Sequence, residues 1–178
     1  MQKSSGDPLL TAARTLVILF NIVLIFSLVM IGIGIGALLT VGRGEVYDRI
    51  AAADAPDQAY WLVIGAFALV MTAIWLAIRF FEALNEIIIS VDSGEPFDPA
   101  NARRLRRMGW LAVAGQAIFI PIGGIATWLT PYLERLGNEV DLDIGLDPGA
   151  LLLILVLFIL ARVFERGAEL RTDLEGTV

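Results

Sequence analysis

The chain has 178 residues, 57% of them apolar and 18% charged, with a formal net charge of −6 and neither cysteine nor histidine. Without those two residue types there are no disulfides, no thiolate nucleophiles and none of the usual zinc, copper or haem ligand sets. The acidic balance argues against bulk attraction to nucleic acid, and no direct nucleic-acid binding is expected.

The placement of the charges decides the class. Between Arg14 and Arg43 lie 28 residues without a charge, between Asp57 and Arg79 lie 21, and between Arg107 and Glu134 lie 26. Each run meets the roughly 20 residues needed to cross a hydrocarbon layer of about 30 Å. A fourth run, Pro148 to Phe164, has 17 residues and is interrupted by Arg162. At 1.5 Å per residue it covers about 25 Å, which spans only if Arg162 snorkels to the interface or the bilayer thins. The reading is an all-α membrane protein forming one domain over 1–178, with spans at 15–41, 59–78, 108–132 and 148–164.

Met1 to Arg14 is short and polar. The first span is too long for a signal-peptide core and lacks a small-residue cleavage site, so it reads as a retained anchor. Within it, Gly32 and Gly36 lie four apart on one helical face, a spacing that lets another helix backbone come close. Intramolecular packing, a loosely packed helix end and a homo-oligomer seam all fit that pair. The stretch 42–57 sets Arg43 and Arg49 against Glu45, Asp48, Asp54 and Asp57, and is expected to be a solvated loop. Tyr60 and Trp61 open the second span at interfacial depth. Beyond Ile78, Phe80, Phe81, Leu84, Ile87, Ile88 and Val91 recur at helical spacing, with Arg79, Glu82, Asn85 and Glu86 on the other side. A helical extension past the bilayer, or one bent along it, is predicted over 79–92.

A turn follows. Glu95 precedes a proline and should be extended, and Asp98-Pro99 has the form of an N-cap with proline in the first turn. Arg103, Arg104, Arg106 and Arg107 then stand just before Met108-Gly109-Trp110, as at the cytoplasmic end of a membrane helix. These arginines, with Phe97 and Asn101, are the candidate surface for a partner protein or for lipid. Further along, Ile120-Pro121-Ile122-Gly123-Gly124 predicts a kink or local unwinding, because Pro121 removes a backbone donor and Gly123 and Gly124 relax packing. Broken helices mark binding sites in transporters. No charged residue lies at the centre of any span, however, which favours a structural bend. Asn21, Ser27, Thr72, Gln116 and Thr127 read as interhelical hydrogen-bond partners.

Trp128 and Tyr132 mark the far interface, followed by an acidic loop with Glu134, Glu139, Asp141, Asp143 and Asp147. Alternation over 139–146 suggests a short extended segment in this last external loop. A calcium loop is not indicated, because the glycine falls at Gly145 and the downstream glutamate is missing. Asp147-Pro148 caps the last span, which runs into a helical tail where Val163, Leu170 and Leu174 can share a stripe.

Lysine and arginine number two before the first span, five between the second and third and three after the fourth, ten in all, against two and one on the other side. The positive-inside rule therefore predicts both termini and the central stretch in the cytoplasm.

The segment Ser93-Gly94-Glu95-Pro96-Phe97, then Asn101, Arg104-Leu105-Arg106 and Gly109, together with Val163-Phe164-Glu165-Arg166-Gly167-Ala168-Glu169-Leu170 and terminal Thr177-Val178, resembles the bacterial membrane family called domain of unknown function 2975. The resemblance extends over essentially the whole chain. It implies a small four-helix protein of the bacterial inner membrane without an established activity. Such proteins are often encoded beside a helix-turn-helix transcription regulator, which implies a cytoplasmic regulator as partner.

The expectation is thus a non-enzymatic membrane protein, with the lipid bilayer and a cytoplasmic regulator as partners and with no catalytic, cofactor or metal residues. A small transporter or channel component is the alternative, using Pro121 and the Gly32/Gly36 helix as moving parts. A membrane enzyme would have to draw on Glu82, Glu86 and Asp92, which read more simply as the solvated face of a helix.

Overall fold

Inside hydrocarbon every backbone N–H and C=O must be bonded within its own segment, so each uncharged run is bound to fold as one helix. The computed structural model describes residues 8–137 and 147–175. It contains α1 (Pro8–Thr40), α2 (Arg43–Ala52), α3 (Gln58–Asp92), α4 (Pro99–Arg135) and α5 (Pro148–Glu175). Four of these, α1, α3, α4 and α5, are long and apolar enough to cross a membrane, which makes this a multi-pass membrane protein. The predicted extended segment at 139–146 lies outside the described residues.

The long helices stand in an open row. α3 packs between α1 and α4, and α4 packs on α5; among the described residues no Cα–Cα approach within 8 Å joins α1 to α4 or α5. On α1, Val17 is buried, and Asn21, Leu24, Leu28, Ile31, Ile35 and Leu38 are half-buried. This alternating four-three spacing is the seam of a left-handed helix pair, with every other face of α1 left to lipid. Gly32 faces Met71 of α3, whereas a Cβ built on Gly34 or Gly36 would meet nothing within 4 Å.

Two sequence expectations are corrected. The stretch 43–52 is a helix, α2, and not a loop. Its opposite charges fall four residues apart, with Arg49 Nη2 donating to Glu45 Oε1 at 2.9 Å, a spacing that supports helix as readily as solvation. The described part of α1, Pro8–Thr40, covers the predicted span from Thr15 to Thr40 and carries helix seven residues ahead of it. α4 passes through Pro121 and Pro131 as uninterrupted helix, so Pro121 does not unwind it. A single lost backbone bond is tolerated in a membrane helix when the surrounding turns hold.

At the α2 end, Tyr47 stacks on Tyr60 with ring centroids 5.0 Å apart, and Tyr60 Oη donates to Leu38 O at 3.1 Å, satisfying a carbonyl in the last turn of α1. Arg135 Nη1 donates to Ala53 O at 3.2 Å and closes the same end from α4.

The register of α5 against α4 is uneven with the rest of the row. Trp110 meets Phe158 edge to face, Arg106 meets Glu165, and Phe119 and Ala150 line one cleft. Carried to the start of α5, this register puts Pro148 level with about Ile122, and α4 continues past it to Arg135. The uncharged part of α5, Pro148 to Ala161, covers about 21 Å, short of a layer about 30 Å thick.

The tightest packing gathers at the opposite end, beside the α3–α4 turn. Ala83, Leu105, Met108, Leu157 and Ala161 form a buried cluster, with Phe80, Leu84, Ile87 and Phe164 packed on it. Two of these five are alanines, which let backbones approach closely where lipid supplies no hydrophobic drive.

Candidate functional site

The site grows out of the turn between α3 and α4. α3 ends where Gly94 adopts a left-handed φ of 82°, a conformation that costs glycine nothing and strains a residue with a Cβ. The Gly94 N–H bonds Val91 O, and the Glu95 N–H bonds Ser90 O at 3.0 Å, reversing the chain. α4 begins as the sequence predicts, with the Asp98 carboxylate accepting from the Ala100 N–H at 2.8 Å and Pro99 in the first turn.

One side chain locks the turn shut. Asn101 is fully buried. Its Nδ2 donates to Ser90 Oγ at 2.9 Å and to Pro96 O at 3.0 Å, and its Oδ1 accepts from Arg104 Nη1 at 2.8 Å. Ser90 Oγ donates onward to Glu95 O at 2.8 Å, and Arg104 Nε donates to Glu86 Oε2 at 2.7 Å. Both ends of the amide are therefore satisfied, and a buried network of this kind fixes one geometry.

The turn is fastened to α5 at three places. Phe97 reaches across to Gly167, where an added Cβ would sit 2.7 Å from Cδ1 of the ring, and its ring centroid lies 5.6 Å from that of Phe164. Arg106 Nη2 donates to both carboxylate oxygens of Glu165, at 3.1 and 3.0 Å. Gly109 leaves room for the Phe158 ring, whose nearest atom would be 3.0 Å from a Cβ there.

The four arginines consequently divide. Arg104 is bound to Glu86 and Asn101, and Arg106 to Glu165, whereas Arg103 and Arg107 are exposed and have no ion-pair or hydrogen-bond partner among the described residues. A cleft of about 390 Å³ between the start of α4 and the tail of α5 is bordered by Arg103, Arg106, Glu165, Glu169 and Thr172. Past Arg162, α5 exposes Val163 and Leu170, the latter 65% accessible. Glu82 is paired with Arg79 and Glu86 with Arg104, so each of these carboxylates faces its own guanidinium. The structure brings together Phe97, Asn101 and the arginines. It leaves Gly32, Gly36, Pro121, Gly123 and Gly124 in the spans, away from this junction.

Ser90 and Glu86 are the members that sequence reasoning missed. Their partners lie 11 and 18 residues away around a reversal, and only the turn brings them together.

Residues 46–178 match the family model described as a protein of unknown function, DUF2975. The chain belongs to that family. Every junction residue of this DUF2975 protein, from Glu86 to Gly167, lies inside the matched stretch, whereas α1 precedes it. The likeness read over the whole chain is thus narrower at its start. No curated protein and no solved structure matches the chain.

Proposed function

We propose that this DUF2975 protein is a non-enzymatic bacterial inner-membrane protein with both termini in the cytoplasm, and that its α3–α4–α5 junction holds a cytoplasmic regulator, such as a helix-turn-helix transcription factor, at the membrane. The observation that carries the reading is the placement of order and exposure. The densest packing and the satisfied Asn101 network lie at the basic end, and there α5 turns Val163 and Leu170 outward beyond its apolar run. Val163 and Leu170 lie seven residues apart on one line of this helix, the spacing by which an amphipathic helix meets a partner's groove. The orientation is supported by the ten basic residues on this side against three on the other.

The test is a pull-down of the full chain from its own cells in mild detergent after crosslinking, with mass spectrometry of what is recovered. A soluble DNA-binding regulator is expected with the native chain and about tenfold less of it with Leu170→Glu, the effect of losing roughly 1.4 kcal/mol at an interface. Leu170 is largely exposed, so the substitution leaves the fold intact. Equal recovery from both chains, or recovery of this protein alone, would refute the reading.

A further inference from the structure

Arginines 103 and 107 lie on the exposed side of α4, with Arg103 at the rim of the cleft that Glu165 and Glu169 of α5 also border. On this helix Asn101, Leu105 and Met108 are buried toward α3, while Ala102, Arg106 and Gly109 lie toward α5. Residues spaced four and three apart from Arg103 continue that side: Arg107, Trp110, Ala117, Pro121 and Gly124 are exposed, Ala114 is half-buried, and the Trp110 ring meets Phe158 of α5 by its edge. Trp110, 63% accessible, marks the interfacial level. Arg107 and Arg103 sit about 4.5 and 10.5 Å nearer water along the helix, where lipid phosphates lie.

We infer that Arg103 and Arg107 form a binding site for the head group of one anionic phospholipid. Charge complementarity selects the ligand. The two guanidinia have no protein partner among the described residues, they are four residues apart on one line, and their planar forks suit phosphate oxygens. Arg104 and Arg106 do not compete for it, because Glu86 and Glu165 hold them. Below Trp110 the same face is low, and a Cβ on Gly124 would meet nothing within 4 Å, so an acyl chain can lie against it. The site does not depend on a protein partner and is testable with the purified chain alone.

The experiment is native mass spectrometry of the full chain in nonionic detergent, titrated with phosphatidylglycerol or with phosphatidylcholine carrying the same tails. One phosphatidylglycerol per chain is expected to bind ahead of phosphatidylcholine. Arg103→Gln/Arg107→Gln should weaken phosphatidylglycerol binding about thirtyfold and leave phosphatidylcholine unchanged, given roughly 1 kcal/mol per arginine near a lipid surface. Arg166→Gln/Arg171→Gln removes the same charge from α5 and should cost less than about threefold, the share of a distant, screened pair. Gel filtration checks that each variant is folded, and Arg103→Lys/Arg107→Lys, which keeps the charge, should recover part of the binding. No preference for phosphatidylglycerol, or equal losses in the two glutamine variants, would overturn the site. Displacement of bound phosphatidylglycerol by a glutamate-rich peptide would overturn it too, by making the surface one for acidic protein.

Discussion

Replacing Asn101 with alanine is expected to destabilise the folded state by about 3 kcal/mol, the combined effect of hydrogen bonds lost from a buried site at about 1–3 kcal/mol each. Asn101 has no accessible surface, so water cannot take over its bonds. Pro96 O loses the Nδ2 donor, Ser90 Oγ loses one of its two bonds, and Arg104 keeps only Glu86. Equilibrium unfolding in mixed micelles, titrating a denaturing detergent into a mild one, reads this as an earlier midpoint. Asn101→Asp discriminates the mechanism. A carboxylate still accepts from Arg104 but cannot donate to Ser90 or Pro96, so the aspartate should be at least as damaging as the alanine. A loss below about 1 kcal/mol for both variants would mean that the network does not hold the turn.

Gly167→Ala is expected to cost about 2 kcal/mol, in the range for overfilling a packed contact. The new methyl would stand 2.7 Å from Cδ1, 2.9 Å from Cε1 and 3.5 Å from Cγ of Phe97, so the root of the ring has to move as well as its tip. That displacement pulls on Pro96 and Asp98, the neighbours that receive the Asn101 bond and cap α4. A double-mutant cycle with Phe97→Ala checks the cause. If the ring is what the methyl strikes, the double variant should be more stable than the sum of the single effects by about 1 kcal/mol or more. Simple additivity would place the damage elsewhere on α5.

Much of this architecture is legible in the sequence. The spans follow from gaps between charges, and the start of α4 follows from Asp98-Pro99, because both are local signals. The Asn101 network was not readable in the same way. Its Ser90 and Glu86 connections exist only once the chain reverses, and an asparagine among four arginines gives no sign that it is the buried one. The arginines show the same limit. Helical spacing alone sorts 103 and 107 from 104 and 106, but which pair is free depends on where α3 and α5 lie. α2 was missed because ten residues of mixed charge satisfy a loop and a short helix equally well. At Pro121 the sequence left a kink and local unwinding both open, because a proline signals a lost bond without saying whether the adjoining turns compensate for it, and α4 stays helical there.

The short register of α5 has a consequence for the membrane around the protein. On α1 the uncharged stretch Thr15 to Thr40 covers about 39 Å, while at the other end of the row Pro148 to Ala161 covers about 21 Å. One flank is a tall apolar wall and the other a low one. Lipids meeting α1 are stretched or the helix tilts, and lipids meeting α5 are compressed, each at a fraction of a kcal/mol per Å. The two flanks of the row thus present apolar walls of unequal height, and the tilt or the change in lipid thickness needed to match them differs from one side of the molecule to the other.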